Sequence, residues 1–172
     1  MLHVVPIVDI DAVDGGEPGK VRLPHNHNLD YSEKPLYIAV SAISEYARDI
    51  KPVAFLDFHT SEKITNNVVP FLAMERPPHD AEMKKFGKIL CEYTQTEKSL
   101  GKIPCSDKID LRPDRPHVSR AFFCRLGTKL VCGLEYAHLG VPGAIVTQEN
   151  SRLFGADFAR AIEVYMRSGE ES

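Results

Sequence analysis

The four cysteines, Cys91, Cys105, Cys124 and Cys132, include no C-x-x-C pair. Neither a structural zinc cage nor a dense disulfide framework is indicated, and reduced thiols in a cytoplasmic protein are the expectation. No stretch approaches the roughly 18 consecutive apolar residues of a membrane span, so no membrane partner is expected. The opening MLHVVPIVDI lacks a basic region, a long apolar core and a cleavage site, and reads as leaderless. Long runs of one charge are also missing: 21 basic and 24 acidic side chains give a formal charge of −3, which offers nothing to a nucleic acid. There is no internal repeat and no low-complexity tract. What is there is a chain of 172 residues, 43% hydrophobic, enough for one domain spanning 1–172 around a real core.

Leu2–Val8 is apolar and β-branched and runs into the Asp/Gly-rich stretch Asp9–Gly19, a pattern that predicts a buried strand feeding a surface loop. Leu36, Val40, Ile43 and Ala47 recur at helical spacing and predict a helix over 33–48, with Pro35 in its first turn and Pro52 barring continuation. Val53–Phe58 has the form of a central strand, and Asn67–Met74 of an edge strand weakened by Pro70. A helix is predicted over 80–97, then a long loop or lid over 99–117, where Pro104, Pro113 and Pro116 fall. A short helix over 128–138, a strand over 144–148 and a helix over 154–167 complete the reading. This order predicts an α/β fold, a mixed and mostly parallel sheet flanked by helices.

In such sheets functional groups gather at the carboxyl ends of strands. His59 and Glu149 each follow a predicted strand, so both are candidates for one cleft. A neutral imidazole at a strand end is either a zinc ligand or a structural hydrogen-bonding group. A carboxylate after AIVTQ either relays protons for an activated water or is a solvated residue at a strand-helix junction. His25 and His27 stand two apart in a polar loop, as an exposed turn or a metal pair, and Tyr136 reads as core on the predicted helix or as a cleft phenol. Cys124 and Cys132 carry no nearby basic constellation that would mark a thiolate nucleophile.

Taken in order, VPIVDIDAVDGGEPGK, HNHNLDYSEKPLYIAV, FLDFHTSE and GTKLVCGLEYAHLGVPGAIVTQEN resemble successive segments of the zinc carboxypeptidases, in particular the bacterial and cytosolic carboxypeptidase-like branch. The resemblance covers most of the chain. It implies that His59 is the third zinc ligand, that Glu149 activates water and shuttles its proton, and that Arg22 polarises the scissile carbonyl. It further implies that Asn28 belongs to the Asn-Arg pair gripping the substrate carboxylate. The implied activity is zinc-dependent hydrolysis of a peptide or amide bond near a carboxylate, with a peptide or acyl-amino-acid substrate.

Two departures qualify that implication. The pair reads Asn28-Leu29, and leucine cannot make the bidentate bonds of a guanidinium. The family's His-x-x-Glu motif normally precedes the segment that opens this chain, so the fold is expected to be truncated at its N-terminus, with one zinc ion held only weakly by a lone histidine. His59-Thr60-Ser61-Glu62 itself spells His-x-x-Glu, and could be that first motif with His117 or His138 completing the set. A catalytically inactive peptide-binding module and an amidohydrolase of desuccinylase or aspartoacylase type are the competing readings. Missing early strands would bare a sheet edge and favour a homo-oligomer.

Overall fold

The computed structural model describes residues 1–60, 71–74, 79–94, 110–112, 115–136 and 146–169. In chain order these form α1 (Ile10–Gly15), α2 (Ile38–Ile50), β1 (Ala54–Thr60), β2 (Phe71–Met74), α3 (His79–Thr94), β3 (Asp110–Arg112), α4 (Ser119–Arg125), β4 (Leu130–Tyr136) and α5 (Gln148–Arg167). Short 3₁₀ turns at Gly19–Val21 and His27–Leu29 precede α2. The strands make one sheet in the order β1-β4-β2-β3, parallel between β1 and β4 and between β2 and β3, antiparallel between β4 and β2. The α/β class and the mixed sheet are therefore present, with two of its three pairings parallel. Among the described residues no helix is long and apolar enough to cross a membrane.

Alternation along β4 explains the layers. Leu130, Cys132 and Leu134 enter a core built with Met83, Phe86 and Leu90 of α3 and Phe154, Phe158, Ala161 and Tyr165 of α5. Val131 enters the opposite core with Val40 and Ala47 of α2 and Phe122 and Phe123 of α4. A strand buried on both faces must be apolar at both parities, which is why this run lacks a clear strand period in the sequence. The helix predicted over 128–138 is corrected accordingly: 130–136 is strand, and 137 and 138 lie outside the described residues. Leu56 of β1 packs against the α3 and α5 core, whereas Phe55 stacks on Phe123 at 3.6 Å on the other side.

Helix boundaries follow local chemistry. The amides of Leu36 and Tyr37 donate to the buried Asp30 carboxylate at 3.1 and 2.8 Å, which ties the stretch before α2 into a loop. The helix therefore begins at Ile38 rather than Glu33. It ends where Lys51 turns left-handed, φ 46°, just before Pro52. At α5 the Thr147 hydroxyl accepts from the Asn150 amide while the Asn150 side chain accepts from the Thr147 amide, a reciprocal cap that starts a helix. Of the strand predicted over 144–148, residues 146–148 are thus cap and first turn; 144 and 145 lie outside the described residues.

The predicted N-terminal strand is also corrected. Leu2–Val8 joins no strand of the sheet, and Leu2, Val4 and Val5 are 76, 70 and 55% exposed. Apolar composition suits a strand only where a neighbouring strand can take its backbone bonds. The predicted strand over 67–74 is found at 71–74 and the helix over 80–97 at 79–94, while 67–70 and 95–97 lie outside the description. Most of the predicted 99–117 loop lies outside it too, although β3 falls within. Cys91 is disulfide-bonded, against the expectation of reduced thiols, whereas Cys124 and Cys132 are free.

Phe86 is fully buried, with the rings of Phe158 and Tyr165 at 5.5 and 5.8 Å. Phe86→Ala is expected to destabilise the fold by about 3–5 kcal/mol in chemical denaturation, because the vacated ring volume cannot collapse. Ile38→Ala, at a position 88% exposed, is expected to stay within about 0.5 kcal/mol of the parent.

Candidate functional site

The parallel pairing of β1 with β4 ends at matched positions: His59 is the register partner of Glu135, and Asp57 of Gly133. Asp57 and His59, two apart on a strand, share one face. The His59 Nε2 lies 3.0 Å from Asp57 Oδ2, and the Ser119 hydroxyl donates to the same oxygen at 2.6 Å. Asn28 closes the group, its Oδ1 accepting the Ser119 amide at 3.1 Å and its Nδ2 lying 3.4 Å from His59 Nε2. The 3₁₀ turn carrying Asn28, the end of β1 and the first residue of α4 meet at this point.

Burial alone would push the Asp57 carboxyl up. The hydrogen bond and charge of His59, the Ser119 hydroxyl and the Arg120 guanidinium outweigh it and hold the acid below the usual carboxylate range. Asp57 is therefore an anion at neutral pH, lying at ion-pair distance, 3.0 Å, from the His59 ring. Behind it Tyr31 and Cys132 are buried, and burial pushes both the phenol and the thiol up, so neither serves as a nucleophile at neutral pH.

The structure brings Asn28 and His59 together, and pairs Arg22 and Glu149 with other side chains. Arg22 Nη2 pairs with Asp9 Oδ1 at 2.7 Å and approaches Asp11 at 3.5 Å, beside a pocket of about 330 Å³ whose lining includes His27 and Tyr37. Glu149 lies in the first turn of α5, 74% exposed, with Arg152 of its own helix at 3.8 Å. A carboxylate in that turn suits the helix dipole. Leu29, beside Asn28, packs against Val118 and Ala121, so it anchors the turn on α4.

His25 and His27 do not form a pair. His25 Nε2 is 2.7 Å from Asp30, whereas His27 stacks on Tyr37 at 4.0 Å and lies 3.1 Å from Asp9 Oδ2, the two atoms being out of line for a hydrogen bond. His117 is exposed, and its carbonyl accepts the Tyr31 amide at 3.0 Å. Glu62 and His138 lie outside the described residues, and Tyr136 is on β4 rather than on a helix.

Two groups at this site escaped sequence reasoning: Asp57, legible as the residue two before His59 on a strand, and Ser119, hidden by its distance in the chain. The helix reading of 128–138 also hid the backbone pairing of Glu135 with His59. A catalytic zinc ion takes about three protein ligands. Among the described residues no three His, Cys, Asp or Glu side chains converge, and His59 by itself does not fit a zinc ion. No protein-family model matches the chain, and no curated protein matches it.

The Asp30 carboxyl is likewise held below its ordinary range: burial would raise it, but the Tyr37 amide, His25 and the Leu36 amide outweigh that. A carboxyl with a depressed folded pKa binds fewer protons than its unfolded form, so its stabilisation is full above about pH 5 and is lost as pH falls through about 3.9 towards the folded value. Asp30→Asn is expected to lower the melting temperature at neutral pH and to flatten its decline between about pH 5 and 3. An unchanged acid slope would remove Asp30 as a source of acid sensitivity.

Proposed function

We propose that the chain carries part of a hydrolytic site of zinc-carboxypeptidase type, acting on a peptide or amide bond near a carboxylate. The observation that carries this reading is the register of His59 with Glu135 at the carboxyl ends of two neighbouring parallel strands, with Asp57 at ion-pair distance from the imidazole. In this reading Glu135, rather than Glu149, accepts a proton from the attacking water and returns it to the leaving nitrogen. Such general acid-base transfer contributes roughly 10²–10⁴-fold to a rate. Asn28 keeps a donor for a substrate carboxylate only in part, since its carboxamide already spans Ser119 and His59. Arg22 would have to leave Asp9 before it could polarise a carbonyl.

The lone imidazole limits what the described residues supply, and the completing ligands of any zinc ion would come from outside them. The same observation, together with Leu29 and the engaged Arg22, favours a second reading: a binding module that keeps the cleft without catalysis. Substrates of acyl-amino-acid type, as for desuccinylases and aspartoacylases, stay within the first reading, because they share the amide and the carboxylate.

Hydrolysis of N-acyl amino acids and of C-terminal peptide bonds, assayed with zinc supplied, separates the two. The hydrolase reading expects turnover that Glu135→Gln lowers by about 10²-fold or more and that Glu149→Gln leaves unchanged. Turnover insensitive to Glu135→Gln would overturn the assignment. Peptide binding without turnover, unaffected by a chelator, would establish the binding module instead.

A further inference from the structure

We propose that the N-terminal segment lying along α2 forms the docking face for a second copy of this chain, in a two-fold dimer that pairs residues 2–5 of the two copies antiparallel. Two sets of contacts place the segment. His3 Nδ1 is 2.8 Å from the Tyr46 hydroxyl, with the rings 5.3 Å apart, so the segment begins beside the last turns of α2. Val8 and Ile10 line one pocket with Leu36 and Ala39, so it ends beside the first turn. The segment therefore runs antiparallel to the helix, along one flank of it.

This face is apolar and uncovered among the described residues. Leu2, Val4, Val5 and Ile10 are 55–76% exposed, and Ile7, Leu36 and Tyr46 beside them 46–59%. Side chains exposed to that degree carry on the order of 800 Å² of accessible surface, about what one partner gives to a stable protein interface, whereas the largest apolar patch on a typical monomer is roughly 300–600 Å². Among the described residues beyond Val53, Phe58 and Met166 are the large apolar side chains left exposed. The uncovered apolar surface is thus concentrated where the segment meets α2.

The chemistry of the segment selects its own copy as the occupant. Leu2–Val8 contains no Asp, Glu, Lys or Arg, so it offers nothing to an ionic partner and nothing that repels an identical segment. Exposed strand edges normally carry such charges to prevent that encounter. Leu2–Val5 lies in no helix or strand, and among the described residues none of its backbone N–H or C=O groups makes a hydrogen bond. An antiparallel partner satisfies those groups, and a two-fold axis makes each segment the partner of the other. Pro6, which has no N–H, ends the pairing. Antiparallel order also sends Asp9, Asp11 and Asp14 of the two copies to opposite ends of the interface, where they do not repel one another.

The dimer does not depend on the hydrolytic reading. Sedimentation equilibrium of the full chain is expected to show a reversible species of twice 19.2 kDa that dissociates on dilution. Val4→Glu, at a position 70% exposed where a charge leaves the fold intact, is expected to raise the dissociation constant about tenfold or more. Met166→Glu, at an exposed apolar position on α5 outside the face, is expected to leave it unchanged. Hydrogen exchange of the parent, which needs no variant, is expected to slow at the amides of residues 2–5 as concentration carries the chain from monomer to dimer. A mass of 19.2 kDa at every concentration would sink the proposal and leave the face to a different partner. So would a Val4→Glu dimer as tight as the parent, exchange at residues 2–5 that ignores concentration, or assemblies that keep growing beyond two copies.

Discussion

The pairing of β1 with β4 is the constraint on which the rest of the arrangement depends. Seven residues from Ala54 to Thr60 lie in parallel register with seven from Leu130 to Tyr136, joining chain segments some seventy positions apart. Parallel strands need a crossover between them, and here the intervening chain contributes β2, β3, α3 and α4 before returning as β4. Both strands consequently point their carboxyl ends the same way, and His59 finishes opposite Glu135. Slipping that register by one residue would turn every side chain of β4 to the wrong layer, with Leu130, Cys132 and Leu134 leaving one core and Val131 the other.

Packing of this kind is strict enough to support a polar cluster at the strand ends. Asp57 is a mostly buried anion, which is unfavourable unless neighbouring donors and cations compensate. Ser119, His59 and Arg120 supply that compensation from β1 and α4. Each donor lies on an element held by aromatic stacking elsewhere: Phe55 of β1 against Phe123 of α4, and Phe123 against Phe122 and Tyr31. The apolar contacts thereby hold the elements that carry the polar groups.

A second polar network shapes the approach to α2. Asp30 gathers His25 and the amides of Leu36 and Tyr37, and the Tyr37 hydroxyl donates to the carbonyls of Leu23 and His25. These bonds convert a stretch with helical apolar spacing into a structured loop, which holds the turn containing Asn28 beside the end of β1. Arg22 pairs with Asp9 and Asp11, and Asp9 also lies 3.1 Å from His27, the residue beside Asn28.

The amino-acid sequence by itself determined the α/β class, strand β1 with His59 near its end, and the existence of α2, α3 and α5, because apolar spacing and helix stops act locally. Motif order offered Asn28, His59 and Glu149 as one set, and the structure places the first two 3.4 Å apart. The tertiary structure alone decided that the run from Leu130 to Tyr136 is a strand, that Leu2–Val8 is not, and that Asp57 and Ser119 stand beside His59. Those outcomes turn on partners distant in the chain. A short apolar run becomes strand or helix according to which surfaces it is buried against, and side chains far apart in the chain meet only where the sheet register brings their backbones together.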